Sequence, residues 1–176
     1  MPTRWLTYLA AAVGIAAGIT ITAAQALESD ARQPVRVSAN QLQLDDHSGT
    51  ATYSGAVHIE QGSMKLDADQ VVLTRNASGG LATMHATGKS KRAYIEQQPS
   101  PQEGLVKGWG NTLLYTADSR RVELIGNAEL HRGTDTFTGA YVQYLINTRQ
   151  VQAQGAGKHN SAGTGRIEMT ISPNAH

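Results

Sequence analysis

One segment of this chain recurs without a gap at a constant offset of 71 positions, Asn40–Leu73 falling on Asn111–Tyr144. Asn40 meets Asn111, Leu42 meets Leu113, Gly55 meets Gly126, Gly62 meets Gly133 and Val71 meets Val142. Ile59 and Leu130, Leu66 and Phe137, and Leu73 and Tyr144 keep their apolar character. Within each copy the apolar residues alternate with polar ones. Val57 and Ile59 alternate with His58 and Glu60, and Met64, Leu66 and Ala68 alternate with Lys65 and Asp67. A period of two marks strands with one buried face, and the Gly-containing breaks between runs mark turns. The inward parity puts Leu44, Ile59, Leu66 and Leu130 on the interior face.

The remaining segments read as connectors and caps around two copies of one β-unit. Val35-Arg36-Val37 starts the first strand directly after Pro34, a position that tolerates proline. Ser54-Gly55 and Gln61-Gly62-Ser63 read as turns, and residues 81–87 and 92–96 as a strand pair. The Pro99 and Pro101 region is the longest loop. Gly155–Gly165 is a Gly/Ser/Ala-rich connector, and Arg166–Ile171 is a last strand with Ile167, Met169 and Ile171 alternating. No window sustains a helical period. The fold class is therefore all-β, a single antiparallel domain of about fourteen to sixteen short strands in a sandwich or roll.

The N-terminus stands outside this pattern. Arg4 is followed by an apolar run from Leu6 to Ala24, and Ala24-Gln25-Ala26 is a small-residue cleavage signal. This predicts a signal peptide over residues 1–26, cleaved after Ala26, and a mature domain over 27–176. Removing Arg4 from the 15 basic residues leaves 14 against 14 acidic ones, a balance that gives nucleic acid no purchase. There is no cysteine, which excludes disulfides, thiol chemistry and lipid attachment through an N-terminal Cys.

Motifs for catalysis are missing or incomplete. Gly88-Lys89-Ser90 resembles the end of a phosphate loop, but Thr83 occupies the place of the first glycine. The histidines are scattered without an H-x-x-x-H pair, so no metal site and no cofactor is expected. Asp67 and Asp69, and Asp45-Asp46, flank turns, where carboxylates punctuate strands. The positions facing inward at 57, 59, 64, 66, 71 and 73 are all apolar, so a pair of facing catalytic carboxylates is not expected.

Three stretches resemble a known family: Gln33-Pro34-Val35-Arg36-Val37, Lys65-Leu66-Asp67-Ala68-Asp69-Gln70-Val71-Val72, and Asn127-Ala128 after Ile125-Gly126. With the repeat and the export signal, they make the chain similar to the LptA family, periplasmic lipopolysaccharide transport proteins with an OstA-like domain. The resemblance implies an open, twisted β-jellyroll whose two sheets form a V-shaped trough. It implies a non-enzymatic periplasmic protein that binds the acyl chains of lipopolysaccharide. Such proteins assemble head to tail into a bridge from the inner-membrane export complex to the outer-membrane translocon. An LptC-like component would meet the N-terminal edge and an LptD-like component the C-terminal edge.

By the same resemblance Val35 and Val37 lie on the strand at the trough mouth, and Tyr94 and Tyr115 line the trough. Arg75 matches a basic residue near the opening, where it meets a phosphate or merely solvates a strand end. The sequence itself leaves the interior as either a closed core or a trough. Burial of each acyl methylene would contribute about 0.8 kcal/mol. The alternative from another class is a carbohydrate-binding or carbohydrate-active jellyroll, and a third reading is a purely structural β-repeat.

Overall fold

In a computed structural model the described residues are 33–99, 103–156 and 165–171. The expected signal peptide, most of the Gly/Ser/Ala-rich connector and the last five residues lie outside them. The described residues form twelve strands and no helix: β1 (Arg36–Ser38), β2 (Gln41–Asp45), β3 (Thr50–Gln61), β4 (Met64–Arg75), β5 (Leu81–Thr87), β6 (Ala93–Gln97), β7 (Val106–Gly110), β8 (Thr112–Thr116), β9 (Arg121–Arg132), β10 (Asp135–Leu145), β11 (Gln150–Gln154) and β12 (Glu168–Thr170). All pairings are antiparallel.

The strands are fewer and longer than the sequence pattern predicts, because three apparent breaks are bulges. Ser54-Gly55 does not turn the chain. The β3–β4 register jumps there, with Gly55 at φ 82° and Ala56 at φ 46°. Gly126 (φ 72°) and Asn127 (φ 49°) do the same in β9, and β10 shifts register between Gly139 and Tyr141. A bulge bends a strand and sharpens its twist without ending it. Each long strand therefore serves two layers. One half of β3 pairs with β2 and the other with β1. The two halves of β4 pair with β5 and β6, those of β9 with β8 and β7, and those of β10 with β11 and β12.

The result is two stacked layers. One runs β2-β3-β4-β5-β8-β9-β10-β11, the other β1-β3-β4-β6-β7-β9-β10-β12. Residues 81–87 and 92–96 do not pair with each other as expected. They fall in different layers, because Gly88 and the following loop carry the chain across the bend. A Cβ on Gly88 would stand 2.1 Å from the Lys91 carbonyl oxygen, so only glycine fits this crossing.

The repeat is wider than the alternation indicates. Val37 faces Ile59, and at the same offset Gly108 faces Leu130. Leu42 faces Tyr53, and Leu113 faces Leu124. Strands β1–β6 thus form one unit and β7–β12 a second, and the presumed connectors β5 and β6 belong to the repeat. Ile59, Leu66, Leu124, Leu130, Val71 and Val142 are fully buried between the layers. Gly108 allows the close approach: a Cβ there would meet Leu124 Cδ2 at 3.0 Å.

Candidate functional site

The bulges and the crossing loop lie along one seam between the layers. Along the opposite seam the strand ends leave a cleft of ≈80 Å³. Met84, Tyr115 and Val122 line it from one layer and Met64 and Ile95 from the other. Ile146 is buried on its inner side, and the half-buried Leu81 and Arg120 stand at its edge. A neighbouring cavity of ≈30 Å³ shares Ile95, Gln97, Val122 and Ile146 with it and is also lined by Pro99, Gly108, Leu130 and Tyr144. These residues converge because inward parity on both layers is apolar. The cleft has one cation at its edge and no carboxylate in its lining. Burial pushes the Tyr115 hydroxyl above its ordinary pKa, so it stays neutral at the mouth.

These volumes are well below the roughly 300–1,000 Å³ of pockets that enclose ligands. In this conformation the interior is largely a closed core with a narrow apolar slot.

The expected site residues divide into four groups. Ile59, Leu66 and Leu130 are core residues between the layers. Tyr115 lines the slot. Val37 is half-buried against the core, while Val35 and Leu44 are exposed, 50% and 55% for their residue types, at the open end of the layers. Tyr94 and Arg75 are elsewhere. Tyr94 shares parity with Glu96, faces Trp109 across β6 and β7, and its hydroxyl donates to Glu96 Oε2 at 2.5 Å on the outer face. Ile95, its neighbour, takes the inner position. Arg75 ends β4 in solvent, off the cleft.

The rim cation is Arg120. The repeat contains its signal: Arg120 falls on Gly49, and both are left-handed, at φ 45° and 64°. An arginine in a turn position that suits glycine is unusual; among the described residues Arg149 (φ 56°) is the other case, and it does not line this cleft. Its Nη1 donates to Asn147 Oδ1 at 3.4 Å, which keeps the guanidinium beside the opening.

The outer face of the β1-side layer is polar. His58 lies 2.7 Å from Asp67 and 3.1 Å from Glu60. Its hydrogen bond to Asp67, seconded by Glu60, raises the imidazole pKa above its ordinary value. The pair's contribution is complete below the unfolded value and is lost as pH rises through the folded one. We expect Asp67→Asn to move the His58 titration, followed by NMR, back toward the ordinary range. An unchanged midpoint would contradict the pairing.

Among the described residues no group of His, Asp and Glu is arranged to hold a metal ion.

Residues 36–150 match the family model described as LptA/(LptD N-terminal domain) LPS transport protein. The chain is 34% identical over 171 residues to the lipopolysaccharide export system protein LptH of Pseudomonas aeruginosa, covering 97% of both chains. It is 30% identical over 129 residues to the lipopolysaccharide export system protein LptA of Escherichia coli K12, covering 73% of this chain and 68% of that one. The crystal structure of LptH, described as the LptA-homologous periplasmic component of the lipopolysaccharide transport device of Pseudomonas aeruginosa, superposes with a TM-score of 0.74. That match has 36% identity and covers 82% of this chain and 99% of that one.

Proposed function

Because this chain belongs to the LptA/LptD N-terminal domain family of lipopolysaccharide transport proteins, we propose that it carries lipopolysaccharide across the periplasm by holding acyl chains between its two layers. It is a transport component and not an enzyme. The observation that carries the reading is the slot itself: an apolar interior that reaches the surface along one seam, with Arg120 at the rim. Acyl chains entering there replace core contacts with contacts of similar kind, so the lipid is held and also released. In this reading Arg120 meets a headgroup phosphate by charge-assisted hydrogen bonds. A glycosidase on this scaffold would need interior carboxylates, and no Asp or Glu among the described residues is buried.

The open strand edges support the second half of the proposal. Among the described residues β1 pairs only with β3 and β12 only with β10, so each leaves one edge unpaired at opposite ends of the layers. Unpaired edges recruit further strands. One end meeting the other is a heterologous contact that does not close on itself. Copies would form a linear bridge, with an LptC-like inner-membrane component at the β1 end and an LptD-like outer-membrane component at the β12 end.

A photo-crosslinker at Tyr115 is expected to label lipopolysaccharide, while one at Tyr94 or Glu60, both on the outer face, is not. Equal labelling at all three would mean surface adsorption and overturn the slot. Arg120→Gly is expected to leave stability within about 1 kcal/mol, since relief of left-handed strain offsets the added freedom of the unfolded chain. It should nonetheless weaken binding of phosphorylated lipid A roughly tenfold, the size of one charge-assisted hydrogen bond. Dephosphorylated lipid A should be unaffected.

A further inference from the structure

We infer that the two ends of this chain are complementary halves of a joint the molecule already contains once, between its two units, and that Arg166 is the clasp of the outer joint. This rests on the end-to-end assembly proposed above and specifies its register and its determinants.

The internal joint is made by β6 with β7 and by β5 with β8. Tyr94 faces Trp109, Ile95 faces Gly108, Met84 faces Tyr115 and Ala86 faces Leu113. Each partner has a counterpart at a free end. Ile95 pairs with Leu66, and Met169 pairs with Phe137, the repeat mate of Leu66. Ala86 pairs with Val71, and Ala153 with Val142, the mate of Val71. So β12 and β11 are the second copies of β6 and β5. At the other end β1 and β2 are the first copies of β7 and β8. Carrying the register across places Met169 opposite Val37, Glu168 opposite Ser38, Ala153 opposite Leu42 and Val151 opposite Leu44 of the next copy. Leu42, Leu44 and Met169 are each more than half exposed in the single chain. This joint covers all three.

The internal joint is also clasped from outside. Arg92 reaches over β7 to donate from Nη1 to the Asn127 carbonyl and from Nη2 to Glu129 Oε2, both at 2.8 Å. The shift that carries Ile95 to Met169 carries Arg92 to Arg166. Arg166 has no ion-pair or side-chain hydrogen-bond partner among the described residues. Its acceptors on the next copy are the Ala56 carbonyl and the position of His58. Ala56 adopts the same left-handed bulge as Asn127, at φ 46° against 49°, and so presents its carbonyl alike. The carboxylate does not carry over: Glu129 and His131 are replaced by His58 and Glu60. The outer joint keeps the carbonyl bond and lacks the direct ion pair, which makes it the weaker, separable version of the inner one.

The absence of cysteine permits a direct test. Glu168→Cys protein mixed with Ser38→Cys protein should form a disulfide-linked dimer at least about tenfold faster than when mixed with Arg36→Cys, whose side chain lies on the same face one pair away. By sedimentation, Arg166→Ala should weaken end-to-end association about tenfold. The combined change His58→Glu, Glu60→His and Asp67→Thr copies Glu129, His131 and Thr138 onto the acceptor side. It should tighten association about tenfold, and the gain should vanish in the Arg166→Ala background. All these positions are exposed or half-exposed, and circular dichroism checks that each variant folds. Preferred linkage through Arg36→Cys, or unchanged association in Arg166→Ala, overturns this joint while leaving end-to-end assembly standing. Wild-type protein that stays monomeric at every concentration overturns the assembly itself and this joint with it.

Discussion

Ile59→Asp is expected to unfold the domain, whereas Tyr115→Asp is expected to leave it folded and abolish capture of lipopolysaccharide. The two residues share inward parity but differ in surroundings. Ile59 is 1% exposed, pinned between Val37 and Leu66 on neighbouring strands. A carboxylate there has no donor and no water, and forcing it in or protonating it costs several kcal/mol on top of the lost apolar contacts. Domains of this size are stable by only about 5–15 kcal/mol, so this one change removes most or all of the margin. Tyr115 lies at the slot, where a new carboxylate turns into water at modest cost. It then sits at the proposed entrance for acyl chains, beside the rim proposed to meet the phosphates. Denaturant melts and lipid crosslinking, run together on both variants, separate the effects. A folded Ile59→Asp protein would mean that the core between the layers is looser than described. A Tyr115→Asp protein that still captures lipid would place the entrance elsewhere.

Alanine at the first bulge should cost more than alanine at the second: about 3 kcal/mol for Gly55→Ala and about 2 kcal/mol for Gly126→Ala, from left-handed backbone strain plus overlap. Both glycines have positive φ, so the backbone part is shared. The difference lies in the asparagine that each bulge encloses. A Cβ on Gly55 would stand 2.6 Å from Asn40 Nδ2 and 2.9 Å from its Cβ, and the latter cannot swing away. On Gly126 the equivalent distances to Asn111 are 2.8 and 3.3 Å, and a small rotation relieves them. Each asparagine also donates its backbone N–H to the carbonyl of its glycine, Asn40 to Gly55 at 2.9 Å and Asn111 to Gly126 at 2.8 Å. The substitution therefore disturbs the bend that divides one strand between two layers. Equal costs, measured by denaturant titration, would show that backbone strain alone sets the penalty.

The alternation at Val57, Ile59, Leu66 and Val71 made the all-β class and the core legible, because burial acts on side chains one at a time with a period fixed by the strand. The offset from Asn40 to Asn111 made the two-unit organisation legible. The bulges were not. Ser54-Gly55 has the composition of a turn, and composition cannot distinguish a reversal from a one-residue kink in a strand that continues. Missing the kinks hid the division of β3, β4, β9 and β10 between layers, and with it the separation of β5 from β6. Tyr94 illustrates the cost of judging by residue type. Its ring resembles a lining aromatic, but Glu96 and Asp67 share its face, and parity then sends Ile95 inward. Arg75 and Arg120 differ likewise. Both are basic residues at strand ends, and only the alignment of Arg120 on Gly49 marks the one at the rim.

The bent, shared strands have a consequence for motion along the protein. Each layer stacks its strands side by side, so the apolar interior between the layers runs across them, and eight strands at about 4.8 Å spacing make it roughly 35–40 Å long. Neighbouring strands are rotated by about 20–25° with a fixed hand. Over the length of one molecule the opening therefore turns through roughly 150°. The seam is a screw, not a straight line. Under the proposed function, a lipid advancing by one strand would also rotate about the long axis, and its headgroup, held outside the seam, would trace a helix around the protein. If successive copies continue the same register, this screw passes from one to the next without a step.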